Sequence, residues 1–166
     1  MFVALSVIGY AGLVWIALAP ALALRARANV VFVTACTAAC VWTADLSATG
    51  MKALAQRPRP FETLDQADPL MRGTIGTSFP SGHAATSFAG AVCLAVLTRR
   101  AVPGLALLAL AVAFSRVYVG VHYPFDAAGG ALLGTAVALA FLVLAARAPR
   151  WPGASRPRSA RARPPG

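Results

Sequence analysis

Ser115-Arg116-Val117-Tyr118-Val119-Gly120-Val121-His122-Tyr123-Pro124-Phe125-Asp126 lies between two long apolar runs and sets a cation, an imidazole and a carboxylate within twelve residues. His122 is one of only two histidines in the chain, and Asp126 one of five acids. Proline is accepted in a first helical turn, so a helix is expected to begin at Pro124. A histidine followed four residues later by a carboxylate at a helix start suits an imidazole held in one orientation. A plain loop with a few interfacial polar residues has the same composition, so the flanks decide between the two.

Those flanks are too apolar for an ordinary water-soluble domain: 58% of the residues are hydrophobic, only 12% are charged, and the mean hydropathy is +0.69. After the stretch, a run from Pro124 to Ala146 carries Gly129, Gly130 and Gly134, small residues that favour close helix packing. Before it, Ala101 to Ser115 forms another run, expected to continue toward Val121. Pro80-Ser81-Gly82-His83 opens the next one upstream, with Ser81 as N-cap, and Arg99-Arg100 closes it. Asn29 to Gly50 is interrupted by a single acid, Asp45, two helical turns before Lys52, which suggests a supporting role at a site. Phe2 to Leu24 is an uncharged run of 23 residues with Pro20 near its end, enough to cross a bilayer core of about 30 Å. The expectation is an all-α integral membrane helical bundle of about five crossings in a single domain, residues 1–147.

Met51 to Phe79 is the long polar connection, with Lys52, Arg57, Arg59, Glu62, Asp65, Asp68 and Arg72. Connections of this length are uncommon unless functional or disordered. Residues 148–166 have several prolines, arginines and no apolar period, and are expected to be a disordered basic tail that attracts anionic lipid. The chain's start lacks the basic region of a cleavable signal peptide, so the first run is expected to stay as an anchor. Cys36, Cys40 and Cys93 all sit inside apolar runs and read as small packing residues, since no second pair completes a metal site.

The net charge of +10 comes from fourteen arginines and one lysine against five acids. The arginines flank apolar segments instead of forming one basic face, which argues for membrane topology and against nucleic acid. Five crossings put residues 51–82 and 116–126 on one side, where the charges balance. The other side receives ten arginines and no acids, so the positive-inside rule places the tail in the cytoplasm and both polar loops outside.

The blocks Lys52-x6-Arg59-Pro60, Pro80-Ser81-Gly82-His83 and Ser115-Arg116-x5-His122-x3-Asp126 thus meet on one side. Together they resemble the type 2 phosphatidic acid phosphatase family at every defining position, over about Asp45 to Leu142. Members of that family usually have six crossings. Five are expected here, with the sixth absent before the first block, an arrangement that would leave the site on the same side but bear on substrate contacts and association.

A phosphoryl group in transfer spreads charge over its equatorial oxygens, and Lys52, Arg59 and Arg116 are suited to receive it. Ser81 and the amides of Gly82 and His83, at a helix N-terminus, are a natural anion seat. Arg57 and Arg72 read instead as solvated interfacial cations. The resemblance implies that His122 attacks phosphorus to form a phosphohistidine, that Asp126 holds its far ring nitrogen, and that His83 protonates the leaving oxygen. It also implies no metal cofactor, and the acids of the polar connection do not form a compact carboxylate cluster for magnesium.

The expected substrate is a lipid phosphate at the outer surface of a bacterial cytoplasmic membrane: a polyprenyl phosphate, a diphosphate, or a polyprenyl-phosphosugar phosphate such as decaprenyl-phosphoribose 5-phosphate of cell-wall synthesis. A glycerolipid phosphate is the main alternative. Related families hold vanadate in the same pocket for halide oxidation, but those proteins are soluble. A lipid-binding or translocating protein with a vestigial site is the reading from another class, and the intact set of polar residues argues against it.

The charge asymmetry gives a direct test of topology. In a version lacking the three native cysteines, Asp68→Cys should react with an impermeant thiol reagent in intact cells and Ala160→Cys should not. The opposite pattern overturns the assignment.

Overall fold

The computed structural model describes residues 12–63, 69–70 and 76–147. The basic tail, Asp65, Asp68 and Arg72, and the start of the first apolar run lie outside these. The described residues form five long helices, α1 (Leu13–Ala26), α2 (Val30–Ala55), α4 (Gly82–Thr98), α5 (Val102–Tyr118) and α6 (Pro124–Arg147), with a single helical turn, α3 (Pro60–Thr63), after α2. The spans Val30–Thr63 and Pro124–Arg147 are long and apolar enough to cross a membrane, and α1, α4 and α5 are shorter apolar helices.

Helix starts follow the local chemistry. Asn29 caps α2, its side chain accepting from the Phe32 N–H at 2.9 Å. Ser81 caps α4 by accepting from Ala84 N–H at 3.4 Å, and α6 begins at Pro124, both as expected. Helix ends differ more. α2 does not stop at Gly50 but runs on to Ala55 and closes at Gln56 in a left-handed conformation (φ 43°). Gly50 faces open space, and a glycine inside a helix costs only about 1 kcal/mol, which the good helix formers after it outweigh. α5 ends at Tyr118, and the chain turns at Gly120 (φ 77°) before Val121.

Helix α4 is the centre of the bundle and touches all four other long helices. It can do so because its buried residues are small: Ala84, Ala85, Ser87, Ala89, Gly90, Ala91 and Cys93 among them. On one side Trp15 lies over Gly90, where a Cβ would meet the indole at 2.4 Å. Leu94, Val33, Val41 and Leu105 complete that cluster. On another side the three cysteines pack with Ala44, Ala85, Ala89 and Ala138 between α2, α4 and α6, all free thiols as the sequence suggests.

The contact between α4 and α6 is closest. A Cβ on Gly134 would stand 2.0 Å from the Ala85 carbonyl oxygen, and one on Gly130 would stand 2.3 Å from that of Ser81. Backbone atoms cannot yield as a flexible side chain does, so overpacking here forces the helices apart at a cost of about 1–3 kcal/mol. Gly134→Ala should therefore lower the unfolding temperature in detergent clearly. Gly104→Ala, with nothing within 4 Å, should leave it unchanged or raise it. Equal effects would refute the close approach.

Candidate active site

The polar end of the bundle is built from the two turns that α4 and α6 bring together. The Ser81 N–H donates to the Asp126 carbonyl at 2.9 Å, joining the Pro80-Ser81-Gly82-His83 turn to the start of α6. Ser81 and Asp126 are fully buried, while Gly82 and His83 are half-buried in the first turn of α4. His122 occupies the turn between α5 and α6 and is only 4% exposed. Its N–H and that of Val121 both donate to the Arg116 carbonyl at 3.3 Å, fixing the turn beneath it.

Arg59 and Arg116 are buried as well, at 1% and 3% exposure. Arg59 is held by carbonyls: Nε donates to Gly76 O at 2.7 Å and a terminal nitrogen to Val121 O at 3.0 Å. Its own N–H donates to Glu62 across the single turn of α3. The planar guanidinium thereby fastens the polar connection to the residue next to His122. Lys52, half-buried near the end of α2, lies within electrostatic range of Arg59, Arg116 and Asp126. The structure thus gathers Lys52, Arg59, Arg116, His122 and Asp126 in one place, with Ser81, Gly82 and His83 on the adjoining turn.

Burial pulls the His122 imidazole below its ordinary value. Asp126 opposes this, and Arg59, Arg116 and Lys52 add to it. Burial also lowers the Arg59 guanidinium, with Glu62 and Asp126 opposing. Among the described residues no three His, Cys, Asp or Glu side chains are placed to hold a metal ion.

The carboxylate of Asp126 departs from the simplest expectation. Its Oδ2 is 3.7 Å from His122 Nδ1, within ion-pair range but beyond a hydrogen bond. The Ser78 hydroxyl stands at the corner between them, donating to Asp126 Oδ2 and lying 3.5 Å from His122 Nδ1. The Tyr123 N–H also donates to Oδ2, at 2.8 Å. On the far side Arg57 donates to Oδ1 at 2.8 Å, with its guanidinium 4.2 Å over the Tyr123 ring. Arg57 is therefore not a solvated interfacial cation. It anchors the acid, and the sequence reading of it is corrected.

A model of the PAP2 superfamily matches residues 28–150. The chain belongs to the PAP2 superfamily. Among curated relatives, this PAP2 chain is 38% identical over 89 residues to the bacitracin transport permease protein BcrC of Bacillus licheniformis, covering 54% of the chain and 44% of the relative. It is 40% identical over 78 residues to the undecaprenyl-diphosphatase of Sulfolobus acidocaldarius, covering 46% and 38%. It is also 40% identical over 91 residues to the decaprenylphosphoryl-5-phosphoribose phosphatase of Mycolicibacterium smegmatis, covering 52% and 46%. The chain thus spans less than half the length of each. The fold resembles the crystal structure of the first transmembrane PAP2 type phosphatidylglycerolphosphate phosphatase from Bacillus subtilis, with a TM-score of 0.64 at 20% identity over 86% of this chain and 74% of that one.

Ser78 lies outside the motif blocks of this PAP2 chain, and Arg57 reads from sequence as a solvated cation. Arg57 lies two residues before Arg59 and Ser78 two before Pro80, so nearness to a defining position is the one signal the sequence holds for them.

The lowered protonation of His122 keeps its imidazole neutral to lower pH than an ordinary histidine. In His83→Gln protein, where His122 is the remaining imidazole, its NMR signals should titrate with a midpoint below about 6.5. A midpoint at or above that value would mean that Asp126 outweighs burial and the neighbouring cations.

Proposed function

We propose that this chain is a lipid phosphatase that removes a terminal phosphate from a polyprenyl carrier, whether monophosphate, diphosphate or phosphosugar phosphate, at the outer face of the cytoplasmic membrane. The observation that carries this reading is the position of His122, buried within range of three cations and backed by an anchored carboxylate. Two relatives named for polyprenyl substrates, each 40% identical over the matched segment, support the choice of carrier.

In the reaction, the phosphate enters among Lys52, Arg59 and Arg116 against the Ser81–His83 turn, and its charge offsets the mutual repulsion of the cations. His122 attacks phosphorus through Nε2. The bond from phosphorus to the lipid-side oxygen breaks, and His83 gives that oxygen a proton. As charge develops on the imidazole, the Nδ1 proton faces Ser78 and Asp126, which hold the ring in its attacking tautomer. Water then attacks the phosphohistidine, His83 takes its proton, and inorganic phosphate leaves with His122 restored. The protein supplies every proton acceptor this cycle needs, so activity is expected to persist in chelators.

The roles of the two histidines separate by leaving group. An alkoxide needs a proton to depart and an aryl phenolate does not, so general-acid help worth about 10²–10⁴-fold applies mainly to the alkyl substrate. His122→Ala should be inactive toward both. His83→Ala should retain a single-turnover burst of phenolate from an aryl phosphate while losing most activity on a polyprenyl monophosphate. A burst from His122→Ala and none from His83→Ala would reverse the roles. Failure of folded wild-type protein to release phosphate from polyprenyl or glycerolipid substrates would refute the activity.

A further inference from the structure

The α2 face that carries Lys52 also carries Asp45 and Thr49, at spacings of four and three residues that bring them onto one line of the helix, and Gln56 follows as its C-cap. Asp45, Thr49 and Gln56 are exposed, and none is a defining position of the three motif blocks. Thr49, Lys52, Ala53 and Gln56 form one wall of a cavity of about 540 Å³, with Gly76 and Thr77 opposite. That opposite wall is held in place: Arg59 Nε donates to Gly76 O at 2.7 Å, and the Thr77 hydroxyl donates to Lys52 O at 3.1 Å.

At its inner end the line reaches the start of α4. The Asp45 Oδ1 lies 3.6 Å from the place a Cβ on Gly82 would take, so this carboxylate adjoins the turn that forms the anion seat. Asp45 stands ten residues before Ala55, about 15 Å of helix from the exposed end of α2. An acid at that depth in an otherwise apolar helix is costly and marks a site more often than a solvated surface.

The chemistry of this furrow is specific. It offers hydroxyl and amide groups along with the single ammonium of Lys52, and the Asp45 carboxylate lies one turn further along α2. Hydroxyls are the natural donors to a carboxylate, and a site that accepts from them rejects analogues lacking them. A second phosphate beside Asp45 would instead meet like charge. We propose that the cavity beside Thr49, Lys52 and Gln56, with the Asp45 carboxylate one helical turn further in beside Gly82, is a subsite for a neutral, hydroxyl-rich group, a sugar, carried between the lipid and the phosphate that is removed. The proposal rests on the phosphatase reading above and narrows it to phosphosugar lipids over lipid diphosphates.

The test separates the two. In the His122→Ala background, equilibrium binding is measured for two probes with the same short prenyl chain, a prenylphosphoryl-ribose 5-phosphate and a prenyl diphosphate. The ribose probe should bind more tightly, and adding Asp45→Asn should lower the ratio of the two affinities by about tenfold or more, the worth of a hydrogen bond to a charged group. Thr49→Val should move the ratio in the same direction, and it carries the test if Asp45→Asn does not fold. A ratio that neither substitution moves, or tighter binding of the diphosphate, overturns the subsite and leaves the line as a solvated helix face. Phosphate release by wild-type protein, measured alongside, tests the phosphatase reading alone.

Discussion

The contact of α4 with α6 is the constraint on which the rest of the site depends. Gly130 and Gly134 let the two backbones approach within the space a methyl group would fill, and the Ser81 N–H reaches the Asp126 carbonyl only because they do. One bond between main chains thus joins the turn bearing Ser81, Gly82 and His83 to the turn bearing His122 and Asp126. The glycines lie outside the motif blocks, in the middle of an apolar helix, yet they set the distance between the two halves of the chemistry. A carbonyl gives the neighbouring helix nothing soft to push against, so the spacing is fixed by main-chain atoms and not by packing that can drift.

Around that contact the electrostatics are unbalanced by design. Of the carboxylates within range of Lys52, Arg59 and Arg116, Asp126 is the buried one, and Arg57 already engages one of its oxygens. Cations gathered at low solvent exposure repel each other, and carbonyl oxygens stabilise Arg59 in their place. An anionic group that enters completes the arrangement. The site is therefore organised around a charge it does not itself contain, which is the condition for stabilising a phosphoryl group in transfer.

Much of this was legible in the sequence, and what was not has a common cause. Helix starts at Asn29, Ser81 and Pro124 could be read because a cap is decided within three or four residues. The gathering of Lys52, Arg59, Arg116, His122 and Asp126 could be read because each is an ionisable residue in an apolar chain, where few alternatives exist. Arg57 and Ser78 could not be read in the same way. Their partner Asp126 is 69 and 48 residues away, and nothing local distinguishes Arg57 from a cation that reaches for water. The end of α2 is hidden for a related reason: Gly50 resembles a helix stop in sequence, but its surroundings ask nothing of it.

The seat of Trp15 on Gly90 has a bearing on how such a chain is put together. Helix α1 lies outside the family match, yet its largest side chain fits a notch on the central helix that exists only because residue 90 lacks a side chain. During synthesis α1 and α2 enter the membrane before α4 has been made. Until then the indole lacks the notch at Gly90. Arrival of α4 sets Gly90 and Leu94 against Trp15 and Val33, and Leu105 joins the cluster when α5 follows. The order of these elements along the chain thus becomes an order of assembly, with α4 arriving after α1 and α2 and acting as the keystone around which earlier and later neighbours lock.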